Sequence, residues 1–300
     1  MICLRTGKLS DDPDRPSDGM WIPIEDAEPH YEQRVMSRAS AHDRTDDGRF
    51  DRSHLSPEKA YRIGRDYLAH CIRYGWPMKV IKDRFGPGAR IIEFGCGKEL
   101  PMFRTLTCDH SAITHYKPSR YVGVDLNPVK YNPKVNGIES TILGRTNCVT
   151  EFDQIPDEVF DMVTSFEVIE HMGKFDGEEF LDAMFKVARR VPERENKPGL
   201  ILLSTPVNGG TIAKNHVYEY GRSEMRRMFE RRGGVIVGEF ATFSNIRALL
   251  GELTDEEVVV WNRLTDYHSP DVLTAVFSAL HPEVGRNIAW LVEVPVAETA

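Results

Sequence analysis

Two predicted strands end in residues that could bind a nucleoside. An apolar strand pattern over residues 90–94 runs directly into a Gly-Cys-Gly turn at residues 95–97, and a second apolar run over residues 121–124 ends on Asp125. Glycine permits a tight turn and lets a ligand approach the backbone. An acid at the end of the next strand can accept hydrogen bonds from both hydroxyls of a ribose. The layout therefore predicts a nucleotide- or nucleoside-binding site.

The turn lacks the sequence of a dinucleotide-binding site. Such a site needs a third glycine, in the pattern G-x-G-x-x-G, to hold a pyrophosphate at a helix N-terminus. Here Gly97 is followed by Lys98, Glu99 and Leu100. No backbone cradle for a diphosphate is predicted, and Glu99 would repel one, so a nicotinamide dehydrogenase is disfavoured. The E-x-G-x-G turn suits a ligand with a nucleoside and no phosphate, such as S-adenosylmethionine.

A second group of chemically capable residues follows the predicted fourth strand and consists of Glu167, Glu170 and His171. If a short helix begins near Glu167, spacings of three and four residues put all three side chains on one side of it. At the carboxyl end of the strand, that side would face the reactive part of a bound cofactor. Titratable groups so close together shift one another's pKa values, as is common at active sites.

The order of these motifs resembles that of the class I S-adenosylmethionine-dependent methyltransferases. Residues 160–172 resemble the family's fourth-strand motif, F-D-x-V-x-x-x-E-V-x-E-H, residues 200–206 resemble its fifth strand, and residues 215–220 resemble the H-x-x-E-Y segment of one subgroup. The resemblance spans residues 85–245 and implies an enzyme that transfers a methyl group. A non-catalytic cofactor-binding subunit is the alternative from another class, although none of the motifs is degraded.

The resemblance also implies roles for individual residues. Asp125 would bind the ribose diol, Leu126 would pack on the adenine, and Glu93 would hold the methionine ammonium directly or through water. The implied cofactor-binding set is Glu93, Gly95, Cys96, Gly97, Asp125, Leu126, Asn147 and Glu167. The candidate catalytic residues are His171 and His216.

Two interpretations of the acidic and histidine residues stay open. In the first, no metal is required, Glu167 positions the cofactor, Glu170 caps the helix, and His171 is a general base or orients the acceptor. In the second, which resembles the small-RNA 3′-end 2′-O-methyltransferases, Glu167, Glu170, His171 and His216 bind a divalent ion. That oxygen-rich set favours Mg²⁺ or Mn²⁺. The first is preferred, with an O or N atom of a small-molecule, sugar or lipid-like acceptor receiving the methyl group.

Composition limits the classes of partner. The 300 residues carry a net charge of −8, which argues against a large nonspecific contact with nucleic acid, although RNA stays the acceptor of the second interpretation. The five cysteines form no C-x-x-C pair, so neither a zinc site nor a disulfide framework is predicted. The sequence has no run of 18 apolar residues and no apolar N-terminal core. No membrane segment is therefore predicted, and a cytoplasmic location is expected.

Alternating strand and helix patterns predict an α/β fold with a doubly wound, mostly parallel seven-stranded sheet. Residues 1–54 are predicted to be irregular, residues 55–300 to form the methyltransferase domain, and residues 243–283 to be a two-helix cap inserted before the last strand. Strands are predicted near residues 90–94, 121–125, 138–143, 160–165, 199–204, 234–240 and 287–294. Helices are predicted near residues 57–74, 176–190 and 222–232, the first ending at the Gly-Trp-Pro sequence of residues 75–77.

Overall fold

Seven strands form one mixed sheet at the centre of the protein. The structure is a computed structural model, and it describes residues 2–3, 21–22, 65–97, 100–107, 118–126, 138–144, 160–188, 198–208 and 212–295. The strands are β1 (Arg90–Phe94), β2 (Arg120–Asp125), β3 (Glu139–Gly144), β4 (Met162–Phe166), β5 (Gly199–Pro206), β6 (Val235–Ser244) and β7 (Gly285–Val294). The α-helices are α1 (Arg65–Val80), α2 (Pro101–Thr107), α3 (Lys174–Ala188), α4 (Arg222–Arg231), α5 (Ile246–Glu252), α6 (Asp255–Leu264) and α7 (Pro270–Phe277).

The strand order across the sheet is β3-β2-β1-β4-β5-β7-β6. Strands β1 to β5 pair in parallel, and β7 lies antiparallel between β5 and β6. The chain moves outward in one direction from β1 to β3 and in the other from β4 to β6, with β7 returning between β5 and β6, so the order reverses between β1 and β4. In open α/β sheets, ligands bind beyond the carboxyl ends of the strands at such a reversal.

Helices cover both faces of the sheet because the strands bury side chains on both sides. On one face, Ile92 belongs to a buried cluster with Phe180 of α3 and Phe229 of α4. On the other face, Ile91 belongs to a buried cluster with Val80 of α1 and Met102 of α2, among others. The predicted doubly wound, mostly parallel seven-stranded α/β fold is therefore confirmed.

The first helix continues past its predicted end. We expected it to stop at residues 75–77, but α1 includes Pro77, runs to Val80 and is followed by a π-helical turn, Ile81–Phe85. Proline cannot donate a hydrogen bond and usually breaks a helix interior. Here packing outweighs that loss, because the Trp76 ring contacts the Phe240 ring edge-on with centroids 4.6 Å apart, and Ile81 is fully buried.

The insertion before the last strand has three helices, so the prediction of two is wrong. Helices α5, α6 and α7 share a small core of their own, formed by Leu249, Trp261, Leu273 and Phe277. Side chains of Asn245, Thr254 and Ser269 accept hydrogen bonds from backbone N–H groups at the starts of the three helices. These polar residues interrupt the apolar periodicity of the segment, and the periodicity alone therefore did not indicate three separate helices.

Most of the N-terminal segment, residues 1–54, and the predicted helix start at residue 57 lie outside the described residues. Within that segment, Ile2–Cys3 pairs antiparallel with Trp21–Ile22. Among the residues that the structure describes, no helix combines the length and the apolar character needed to cross a membrane.

Candidate active site

The carboxyl ends of β1, β2 and β4 bring the predicted site residues to the point where the strand order reverses. The Gly-Cys-Gly turn leaves β1, Asp125 ends β2, and Glu167 directly follows β4. Phe94 is in register with Val124 on one side and with Ser165 on the other. The three strand ends therefore lie side by side, as the sequence predicted.

Glycine is favoured at the two positions of the turn for different structural reasons. Both have positive φ, 76° at Gly95 and 63° at Gly97, which strongly favours glycine. A Cβ atom on Gly95 would lie 2.1 Å from Cγ2 of Val168, whereas one on Gly97 would meet no atom of the described residues within 4 Å. Gly95 thus lets two segments of the protein pack closely. Gly97 leaves space above the turn.

Asp125 is tied directly to this turn. Its Oδ2 atom accepts a hydrogen bond of 2.8 Å from the N–H of Gly97. The next residue, Leu126, is an apolar side chain with 57% of its surface exposed. The Asp125 carboxylate therefore lies at the Gly97 turn, and an exposed apolar side chain follows it in the chain. Asn147, the other residue predicted near the adenine, lies outside the described residues.

Glu93 and Cys96 are buried around the turn. The Tyr121 hydroxyl donates a hydrogen bond to Oε2 of Glu93. Burial raises the pKa of Glu93 to about 8 despite that hydrogen bond, and the Asp125 carboxylate adds to the rise. Burial likewise raises the pKa of the Cys96 thiol well above its ordinary value. Cys96 is therefore a packed thiol and not a nucleophile.

Glu167 is positioned differently from the prediction. The short helix at this point is a 3₁₀ turn, Ile169–His171, that begins after Glu167. Glu167 has a left-handed φ of 56°, so it does not share a helix side with Glu170 and His171. The prediction of a helix from Glu167 is wrong because this backbone conformation ends the strand and turns the chain.

Three side chains contact the Glu167 carboxylate, and a fourth supports one of them. The Ser204 hydroxyl donates to Oε1 at 2.8 Å, and the side-chain amide of Asn287 donates to Oε2. The Arg73 guanidinium lies 3.4 Å from Oε2. Thr242 completes the group indirectly, because its hydroxyl donates to Asn287 Oδ1 at 3.0 Å. Residues from α1, β5, β6 and β7 therefore fix this carboxylate.

Glu170, His171 and His216 form a separate cluster. One possible ligand atom from each lies within 4.8 Å of the others, and the two imidazole rings meet edge-on with centroids 5.2 Å apart. Glu170 is buried and accepts a hydrogen bond of 3.0 Å from the Thr205 hydroxyl. Burial raises the pKa of Glu170 well above its ordinary value, and the Glu167 carboxylate adds to the rise.

Both histidines use the same ring nitrogen for a protein hydrogen bond. Nδ1 of His171 donates to the Asn215 carbonyl oxygen at 3.0 Å, and Nδ1 of His216 donates to Oε1 of Glu219 at 2.6 Å. An acceptor at Nδ1 places the ring hydrogen there and leaves a lone pair on Nε2. Metal-binding histidines usually have this arrangement, with the second nitrogen held by a carbonyl or carboxylate.

These residues could hold a divalent ion, with a smaller ligand set than the second interpretation implied. Among the described residues the cluster contains Glu170, His171 and His216 but not Glu167, whose carboxylate is held by Ser204 and Asn287. Two imidazoles and one carboxylate are less rich in oxygen than the four-residue set. That donor set suits a transition ion such as Mn²⁺ better than Mg²⁺.

Several residues of the site were not predicted as parts of it. Glu219 stands three residues after His216, so the H-x-x-E-Y spacing could have identified it as the partner of the imidazole. Ser204 and Thr205 lie within the recognised fifth-strand motif. Arg73 and Asn287 carry no local signal, because they reach Glu167 from α1 and β7. Asn287 is 120 residues away from Glu167 in the chain.

Comparison with known proteins finds similarity among solved structures. No protein-family model matches the chain, and no curated protein sequence matches it. The methyltransferase domain of bacterial CtHen1-C is 16% identical, with 76% of this chain and 100% of that chain covered and a TM-score of 0.45. Magnesium protoporphyrin IX methyltransferase from Synechocystis PCC 6803 with bound SAH is 10% identical, with 76% and 84% covered and a TM-score of 0.45.

A third similar structure is the [4+2]-cyclase SpnF, which is 10% identical, with 74% of this chain and 81% of that chain covered and a TM-score of 0.41. The similar structures thus include methyltransferases, the proteins that the sequence motifs resemble. At these identities and scores they assign no activity to this chain.

Proposed function

We propose that this protein is an S-adenosylmethionine-dependent methyltransferase. The observation that carries the proposal is the contact between Asp125 and the N–H of Gly97, beside the space above that glycine. A carboxylate held at this position can accept both ribose hydroxyls of a nucleoside. The exposed side chain of Leu126 offers an apolar surface for the adenine. Glu93 supplies a buried carboxyl group below the turn for the ammonium of the methionine part.

When bound, the cofactor supplies a methyl group activated by a sulfonium for in-line displacement. The protein must then orient the acceptor and remove its proton. His171 is exposed, and its Nδ1–H is held by the Asn215 carbonyl. Its Nε2 is therefore free of the ring hydrogen and can take the proton that the acceptor oxygen or nitrogen loses. We propose an O or N atom of a small-molecule or sugar acceptor as the methylated group.

Calorimetry with S-adenosylhomocysteine tests this proposal. Replacing Asp125 with Ala removes the ribose acceptor, and hydrogen bonds to a charged group contribute roughly 1.5–3 kcal/mol, so the affinity should fall at least about tenfold. Asp182→Ala is the matched control, because Asp182 is an exposed carboxylate of α3 paired with Arg232. An unchanged affinity in Asp125→Ala would rule out the assigned ribose contact.

A second candidate function has an observation of its own. A divalent ion fits between Glu170, His171 and His216, whose possible ligand atoms lie close together. The Nδ1 atoms of both histidines are already held by the protein. In this second proposal the three residues hold the ion, and its charge binds and polarises hydroxyl oxygens of the acceptor. A vicinal diol, such as the 3′-terminal ribose of an RNA, is the acceptor that such a site would select.

Metal removal separates the two candidates. If the ion is required, methyl transfer to RNA should stop in excess EDTA and return with Mn²⁺, and methylated 3′ ends should resist periodate oxidation. His216→Ala should weaken Mn²⁺ binding strongly, because a ligand is lost. His281→Ala is the matched control, since its Nε2 atom lies 2.9 Å from Glu257 in the cap. Full activity in EDTA would exclude the metal-dependent function.

A further inference from the structure

The two histidines of the cluster are held at Nδ1 by different kinds of acceptor. His171 donates to the backbone carbonyl of Asn215 at 3.0 Å, whereas His216 donates to the side chain of Glu219 at 2.6 Å. The Glu219 side chain is 4% exposed and the His216 side chain is 12% exposed. The acceptor of His216 can thus be removed by substitution, whereas that of His171 cannot.

The same oxygen of Glu219 also holds the backbone that carries His216. Its Oε1 atom accepts a second hydrogen bond, of 3.0 Å, from the N–H of Ala213. The Ala213 carbonyl in turn accepts from the N–H of His216 at 2.9 Å. One carboxylate oxygen therefore fixes both the imidazole ring and the turn of residues 213–216.

Two further hydrogen bonds attach this segment to the cluster. The N–H groups of Val217 and Tyr218 both donate to the carbonyl oxygen of Glu170, at 2.8 Å and 3.2 Å. The backbone at His216 is thus anchored on both sides. Its ring has fewer anchors, because Glu219 is its one hydrogen-bond partner among the described residues.

We propose that Glu219 is a positioning residue that fixes the His216 ring with Nδ1 protonated, so that Nε2 is the atom offered to the cluster. The inference rests on the second candidate function above, in which His216 binds the ion. A carboxylate only accepts hydrogen bonds, so the ring hydrogen of the neutral imidazole must lie on Nδ1. Without this acceptor the hydrogen can lie on Nε2, where it would prevent that nitrogen from binding an ion.

Nitrogen-15 NMR of the full chain with labelled histidine tests this role without an ion or an activity assay. In alkaline buffer, where imidazoles are neutral, the protonated and unprotonated nitrogens of a fixed ring give separate resonances. Wild-type His216 should have a protonated Nδ1. In Glu219→Ala this pattern should be replaced by a mixture of tautomers, whereas His171 should keep its own pattern because its acceptor is backbone.

Glu219→Gln separates the hydrogen-bond acceptor from the charge. The amide oxygen can accept both hydrogen bonds, so the His216 tautomer should be kept. Mn²⁺ affinity, measured from the electron paramagnetic resonance signal of free Mn²⁺, should fall roughly 10–100-fold in Glu219→Ala and by a smaller factor in Glu219→Gln. Glu257→Ala is the matched control, because Glu257 contacts a different imidazole, that of His281, at 2.9 Å. It should change neither measurement.

Should Glu219→Ala fail to fold, Glu219→Met provides the same test, because it fills the buried space without an oxygen acceptor. A His216 tautomer that stays fixed in either variant would overturn the inference, as would its loss in Glu219→Gln. Loss of the His171 pattern together with that of His216 would show a general structural role instead, and wild-type Mn²⁺ affinity in Glu219→Ala would contradict a role in the ion site. Failure of the second candidate function is distinguishable, because then neither the wild type nor any variant binds Mn²⁺, whereas the His216 tautomer still depends on Glu219.

Discussion

The two glycines of the turn after β1 provide a matched pair of substitutions. Gly95 and Gly97 both have left-handed backbones, with φ of 76° and 63°. They differ in what a methyl group would meet. At Gly95 the new Cβ would lie 2.1 Å from Cγ2 of Val168, whereas at Gly97 it would have no neighbour within 4 Å in the part of the chain that the structure describes. Alanine at both positions therefore separates backbone strain from steric overlap.

The magnitudes follow from these two effects. An alanine held in the left-handed region loses roughly 1–2 kcal/mol, which applies to both variants. Overlap with a packed side chain adds roughly 1–3 kcal/mol, which applies only to Gly95→Ala. Gly97→Ala should thus lower the free energy of unfolding by roughly 1–2 kcal/mol and Gly95→Ala by roughly 2–5 kcal/mol. Gly97→Ala should also weaken S-adenosylhomocysteine binding, because its methyl group enters the space left for the ligand.

Urea denaturation and calorimetry measure the two outcomes. Adding Val168→Ala to Gly95→Ala removes Cγ2, so the double variant should recover the part of the loss that comes from overlap, a coupling that a double-mutant cycle isolates. Equal loss of stability in both single variants would refute the steric argument. No coupling between residues 95 and 168 would refute it as well. Unchanged ligand affinity in Gly97→Ala would show that the space above the turn is not the binding site.

Further predictions concern stability. Burial raises the pKa of Glu93 from its ordinary 4.5 to about 8. Between these two values the folded protein keeps a proton that the unfolded chain releases. The free energy of unfolding of the wild type therefore falls as pH rises through that range. The stability of Glu93→Gln relative to wild type should therefore increase between pH 5 and 8, by at most about 5 kcal/mol. Urea denaturation measures this, and a difference in the free energy of unfolding that does not change with pH would contradict it. Asn245→Ala removes the acceptor for the N–H groups of Arg247 and Ala248 and should destabilise the protein by about 1 kcal/mol in the same measurement, whereas Asn262→Ala on the exposed face of α6 should have little effect.

The parts of the fold that were predicted correctly depend on local sequence. Strand β1 was predicted with its observed bounds, because its apolar run is followed at once by a glycine turn. Helix α4 was predicted to within one residue. The positions of Gly95, Gly97 and Asp125 followed from the same local pattern, since residues at the carboxyl ends of adjacent parallel strands meet at one edge.

The parts that were missed depend on contacts between distant segments. The continuation of α1 through Pro77 is stabilised by packing against β6, which no local propensity encodes. The position of Glu167 depends on its left-handed backbone and on Arg73 and Asn287, which come from opposite ends of the described chain. The alternative interpretation, drawn from the resemblance to small-RNA methyltransferases, implied a four-residue ion site, whereas in the structure the Glu167 carboxylate is held by Ser204 and Asn287.

The two candidate functions compete for a single lone pair on each histidine. Since Nδ1 of His171 donates to the Asn215 carbonyl, only its Nε2 can act on a ligand. That atom either takes a proton from the acceptor or binds an ion, because a nitrogen that donates its pair to a metal is no longer a base. The same reasoning applies to His216, whose Nδ1 is held by Glu219. A protein that binds an ion at this cluster must therefore activate its acceptor through the charge of the ion, and a protein that does not can use His171 as the general base.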